Sequence, residues 1–181
     1  SSHRSLSIAE SWARLKDIEK EEFMTVIGHD DLFDPEFLEI SKALIDRHPD
    51  AGLYQVGARL INAEGGKIRA CRPVPERETA ADYLASRFAF ERDMTGTGYV
   101  MRSRDYDRVG GIPPFESLFF ADDALWLSLM QASYKASDPH EGASVRIHDE
   151  SASASLPSVW PSLLLGLNQF TEFLQRFVKA D

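Results

Sequence analysis

Apolar residues recur along this chain in two rhythms, one of three to four residues and one of two, and their succession outlines an α/β protein. Ser7 and Glu10 stand at capping-box spacing, and Ile8, Trp12, Leu15 and Ile18 follow at helical intervals, which predicts a first helix from about Ile8 to Glu19. Phe23 to Gly28 is an apolar run of strand length. Asp34-Pro35 supplies an N-cap and a first-turn proline for a second helix. Its buried stripe is Phe37, Ile40, Ser41, Leu44 and Ile45, and it stops before His48-Pro49. Ala51 to Ala63 reads as a strand, which Glu64-Gly65-Gly66 turns back onto Lys67 to Cys71 as a hairpin.

The stiff segment Arg72 to Glu78 precedes a helix over about Thr79 to Phe88 that buries Tyr83, Leu84 and Phe88. Thr95-Gly96-Thr97-Gly98 ends that pattern before a short strand, Tyr99 to Arg102. Ser103 is placed to cap a brief helix over Asp105 to Val109, and Gly110-Gly111-Ile112-Pro113-Pro114 then breaks the chain as a mobile loop would. A helix from Asp122 to Gln131 leads to two strand-like pieces, Ser133 to Ala136 and Ala143 to His148. After a polar loop, Pro157 opens a terminal helix, 157–179, with Val159, Trp160, Leu163, Leu164, Leu167, Phe170, Phe173, Leu174 and Phe177. That helix is apolar around much of its circumference. An interhelical contact, a homo-oligomer seam and a membrane-surface face each suit it, beside an ordinary core role.

Composition narrows the partners. The 181 residues have the length of one domain, 1–181, and 43% apolar content suffices for one core. The net charge of −9 and the scattered basic residues leave no basic face for a nucleic acid. Cys71 is the single cysteine, so no disulfide framework or cysteine zinc site forms. No apolar run approaches the ~20 residues that span a bilayer, and the first residues show no signal pattern. The expected location is cytoplasmic, peripheral to a membrane if the last helix lies on one.

Two acidic pairs stand out. Asp30-Asp31 follows the first strand, and ligands of open α/β sheets collect outside the carboxyl ends of strands. Asp122-Asp123 opens an amphipathic helix after Leu118-Phe119-Phe120. One pair to hold a divalent cation and another to take a proton would suit transfer of a group carried on a phosphate. Ordinary turn and N-cap aspartates are the plainer reading of each pair.

The order of five segments resembles the family 2 glycosyltransferases of the GT-A type. Gly28-His29-Asp30-Asp31, with Asp34-Pro35 beyond it, is similar to that family's strand-end acidic motif. Gly96-Thr97-Gly98-Tyr99 resembles its glycine-containing loop and strand, and Val109-Gly110-Gly111 its Val-Gly-Gly turn. Phe120-Ala121-Asp122-Asp123 resembles the Glu-Asp motif that heads the catalytic helix, and Val145-Arg146-Ile147-His148, with Ser151 and Ser153, the late strand with a metal-binding histidine. The likeness covers roughly Ser5 to Ser155, as if the chain were the rear two-thirds of such an enzyme without its N-terminal nucleotide-binding strands. Gly28 stands where the family has an aspartate, and Asp122 where it has a glutamate.

The resemblance implies a truncated GT-A-like mixed sheet flanked by helices, with a long C-terminal helix. It implies inverting transfer of a sugar from a nucleotide-sugar donor to a glycan, lipid or protein acceptor, with Mg²⁺ or Mn²⁺. Asp31, with Asp30 and His148, would hold the metal. Asp123 would be the catalytic base, with Asp122 positioning the acceptor. The helix macrodipole would hold the Asp123 pKa low. Gly96, Thr97 and Gly98 would line donor and acceptor, with Arg102 and Trp126 as further contacts. Two other readings compete. One is a nonenzymatic remnant that acts in carbohydrate binding or assembly. The weaker is a metal-dependent nucleotidyl transferase, for which no Gly-rich, Lys-containing phosphate loop is visible.

Overall fold

Leu53 and Tyr54 are chain neighbours that lie in opposite cores, because successive strand side chains point to opposite faces of a sheet. The same alternation sends Tyr99 and Met101 to one core and Val100 to the other. The sheet is therefore covered on both faces. The computed structural model describes residues 8–147 and 156–179.

The chain forms α1 (Ile8–Ala13), β1 (Phe23–Thr25), β2 (Leu32–Phe33), α2 (Phe37–Arg47), β3 (Leu53–Ile61) and the hairpin strand β4 (Lys67–Ala70). It continues with β5 (Arg77–Glu78), α3 (Ala80–Phe88), β6 (Tyr99–Arg102), α4 (Ser103–Arg108), α5 (Ala121–Met130), β7 (Lys135–Arg146) and α6 (Leu156–Phe177). The seven strands make one mixed sheet of order β1-β6-β3-β7-β2, with β4 on β3 and β5 on β7. β6 is antiparallel to β1 and β3, whereas β7 runs parallel to β3 from Leu53↔Lys135 to Ile61↔Arg146. The carboxyl ends of β1, β3 and β7 thus share one edge of the sheet with the start of β6.

α2 covers one face through Phe37 and Leu44, packed with Tyr54, Val56 and Val100. The other face carries the larger core, in which Leu125, Trp126 and Leu129 of α5 meet Tyr83 of α3 and Phe170 and Phe177 of α6. Phe120, Phe170, Phe173 and Phe177 stack in succession at centroid spacings of 5.5, 6.1 and 5.6 Å. On the outer side of α6, Trp160, Leu164 and Leu165 are exposed. Among the described residues, no helix is long and apolar enough to cross a membrane.

Several boundaries differ from those the sequence predicts. α1 is shorter and continues as a 3₁₀ turn over Arg14–Lys16. β1 ends at Thr25, so Asp30 and Asp31 sit in the following turn and not at the strand end. Ser103 lies inside α4, where the N-cap position belongs to Arg102. The two strand pieces around Asp138 to Gly142 are one continuous strand, β7, with the register shift at Gly57 of β3. A Cβ on Gly57 would stand 2.7 Å from the carbonyl oxygens of both Pro139 and His140, so only glycine admits this bulge.

Candidate active site

The chain brings its two acidic pairs to one loop, Thr95 to Gly98. On one side, the Thr97 hydroxyl accepts from the Gly28 amide at 3.0 Å and donates to Asp31 Oδ2. Asp31 Oδ1 accepts from the Arg146 amide at the end of β7, at 2.9 Å. Arg146 also sends its Nε to the Asp30 carbonyl at 2.9 Å. A Cβ on Gly28 would approach Asp31 Oδ2 to 2.5 Å. Gly28 and the inward set of Asp31 are therefore one arrangement.

On the other side, a cleft of about 490 Å³ lies between α3, α5 and α6, lined in part by Arg87, Gly96, Phe120, Asp122 and Asp123. Its wall is backbone under strain: Ser117, Leu118 and Phe120 all have positive φ, at 51, 59 and 62°. Non-glycine residues in that region cost roughly 1–3 kcal/mol each and concentrate at functional sites. Phe120 holds the N-cap position of α5, and its side chain makes no capping hydrogen bond. The first turn is served from within, since Asp122 Oδ1 accepts from the Asp123 amide at 2.9 Å.

Asp123 is only 1% exposed. Its Oδ1 accepts from the Tyr83 hydroxyl at 2.7 Å, and both oxygens lie 3.2 Å from Arg87 Nε. Burial raises its pKa, against the pull of Arg87 and Tyr83. This corrects the expectation that the helix macrodipole holds it low: desolvation outweighs the dipole here. Asp122 keeps part of its surface at the cleft, and burial together with the Asp123 charge pushes it up to about 7.

Behind Tyr83 lies a polar cluster that sequence reasoning missed. Lys135, wholly buried, sets its Nζ 2.9 Å from Glu78 Oε2 and 2.5 Å from Gln55 Oε1. Arg92 pairs with the other Glu78 oxygen and lies over the Tyr83 ring, 4.1 Å from its centroid. Burial lowers the Lys135 pKa to about 8, although Glu78 opposes it. Tyr83 and Arg87 were findable: they stand at i and i+4 on a helix whose Thr79–Asp82 capping box fixes its start.

Of the other expected site residues, Gly96 lines the cleft, and Gly98 takes φ +100° beneath it, with its carbonyl on the Val56 amide. Trp126 is 2% exposed and stacks on Tyr99 at 4.4 Å, so it is a core residue and not a wall of the cleft. Arg102 lies on the other face of the sheet, donating to the carbonyls of Ala51 and Pro49. It borders a larger groove of about 700 Å³ between β1 and α2, which contains neither acidic pair. His148 lies outside the described residues.

Among the described residues, no group of three His, Cys, Asp or Glu side chains could hold a metal ion. Asp31 is committed to Thr97 and the Arg146 amide, so these residues do not by themselves fit the Mg²⁺ or Mn²⁺ cage that the resemblance implies. No protein-family model matches the chain, and no curated protein is significantly similar to it.

Proposed function

We propose that this chain is a glycosyl-transfer domain of the GT-A type, moving a sugar from a nucleotide-sugar donor to a glycan, lipid or protein acceptor. The observation that carries the reading is the acidic pair at the head of α5, set in a cleft beside Gly96 with one carboxyl bordering the cleft and the other pinned by Tyr83 and Arg87. The resembling segments add support through their positions. Asp30 and Asp31 follow β1, Gly96 to Gly98 precede β6, and the Gly110-Gly111 turn has the positive φ that glycine permits. The first two flank the edge of the sheet where ligands of α/β folds collect, whereas Gly110-Gly111 follows α4 beyond the other end of β6.

Attack by an acceptor hydroxyl needs a carboxylate within hydrogen-bond reach and a water-poor wall. The cleft offers both, through the acidic pair and through Met94, Leu118, Phe119 and Leu163.

The reading is tested by incubating the chain with uridine-, guanosine- and thymidine-diphosphate sugars and a panel of glycan and lipid acceptors. Mass spectrometry then follows transferred sugar and freed nucleoside diphosphate. The expected result is transfer from at least one donor, lost in Asp122→Asn combined with Asp123→Asn. Absence of transfer, with no saturation-transfer NMR signal from any nucleotide sugar, overturns it. Gly28 and the committed Asp31 favour one alternative, a domain that binds carbohydrate without turning it over. It predicts NMR contacts from glycans alone.

A further inference from the structure

We propose that Asp122, the first acid of the pair, takes the proton of the attacking hydroxyl, and that Asp123 is a positioning residue that fixes α3 against α5. The inference rests on the glycosyl-transfer reading and assigns the roles within it.

Adjacent residues of an α-helix point about 100° apart, so the two carboxyls cannot serve one direction. Asp123 points inward, and both of its oxygens are engaged by Arg87 Nε, one of them also by the Tyr83 hydroxyl. Drawing a proton onto that carboxylate would cancel the charge that pairs with Arg87, whose side chain is itself mostly buried. A buried cation without its partner is costly. Asp122 has no such tie. One oxygen accepts the Asp123 amide, and no hydrogen bond engages the other among the described residues. That second oxygen belongs to a half-buried residue that lines the cleft.

Charge points the same way. The groups facing Asp122 are Asp123 on its own helix, Arg87 and the Tyr83 phenol on α3, and the buried Tyr99 phenol of β6. Two neighbouring carboxyls in a low-dielectric site do not both ionise freely. Arg87 and Tyr83 stabilise the anion on Asp123, which leaves the change of protonation to Asp122. Its pKa of about 7 is close to the value that serves a general base at neutral pH.

The step balances. The acceptor oxygen bonds to the anomeric carbon while its O–H proton passes to the second Asp122 oxygen. The bond from that carbon to the phosphate oxygen breaks, and its electron pair leaves with the nucleoside diphosphate.

The test uses the full chain with the donor and acceptor found above, and carboxyl-carbon NMR on aspartate-labelled protein. Asp122→Asn should lower kcat by roughly 10²-fold or more and erase the rise in rate between pH 6 and 8. Asp122→Glu should restore part of both. Asp123→Asn and Tyr83→Phe should keep a rise in rate with pH but move its midpoint, since they change the field at Asp122 and not the acceptor of the proton. The resonance that titrates near neutrality should vanish in Asp122→Asn alone. Transfer that survives Asp122→Asn with an unchanged pH profile, or a near-neutral titration lost only in Asp123→Asn, overturns the assignment while leaving the glycosyl-transfer reading intact. Absence of transfer in the unmodified chain removes that reading, and the assignment with it.

Discussion

The Tyr83 hydroxyl donates to Asp123 Oδ1 at 2.7 Å across the contact between α3 and α5, and both residues are buried. Tyr83→Phe leaves that oxygen with Arg87 alone. Loss of a buried hydrogen bond to a charged group costs about 1.5–3 kcal/mol. Urea denaturation should show a loss of that size, without a change in m-value.

Asp122 sets a pH dependence of stability. Its carboxyl moves from 3.8 to about 7 on folding, so the folded state holds an extra proton between those values. The associated stability is complete below 3.8 and is lost as pH rises through about 7. Asp122→Asn removes this dependence. The variant should gain on the parent by roughly 4 kcal/mol between pH 4 and pH 8, read as on the order of ten degrees in paired melts.

Glu78 is the only carboxylate pairing the buried cations Lys135 and Arg92 among the described residues. Glu78→Gln strands both and should cost about 3–5 kcal/mol by chemical denaturation. The pKa of Lys135 in the fold, about 8, lies below its unfolded value of 10.5, so the unfolded state binds more protons between them. Stability should rise with pH across that window. Glu78→Gln should extend the window below pH 8, because the opposing charge is gone.

Gly28→Ala places a Cβ 2.5 Å from Asp31 Oδ2 and forces that carboxylate off Thr97. Thr97→Val removes the same contact from the other side. Each should destabilise by roughly 1–2 kcal/mol, and the pair by less than the sum, because they break one interaction. A double-mutant cycle from thermal melts measures the coupling. Strict additivity would separate Gly28 from Asp31.

Much of the architecture is legible in the sequence where local pattern and tertiary role agree. Tyr99 to Arg102 is a strand in both, α3 follows its capping box, and the Gly65-Gly66 turn makes the β3–β4 hairpin. Local pattern fails where a distant partner decides. β2 and β5 are two residues each and exist through pairing with β7. Pro139 and Gly142 split β7 in sequence, yet a bulge opposite Gly57 carries the strand through. Both acidic pairs are visible as motifs, but their protonation is not. A helix-dipole argument sees only the first turn of α5, whereas the burial that raises Asp123 comes from α3 and the core. The Glu78, Arg92 and Lys135 cluster leaves no periodic trace, since hydrophobic rhythm reports only apolar burial.

The Thr95 to Gly98 loop gives the two halves of the site a shared mechanical element. Thr97 is clasped by Gly28 and Asp31, while its neighbour Gly96 forms cleft wall with open space where a side chain would project. One peptide unit, about 3.8 Å between Cα atoms, separates the clasped residue from the wall. That unit is planar, while the φ and ψ beside it stay free to turn, most of all at Gly96. The hydrogen bonds that fix Thr97 therefore also fix where the Gly96 wall of the cleft begins. The two acidic pairs thus rest on one short loop as their common support.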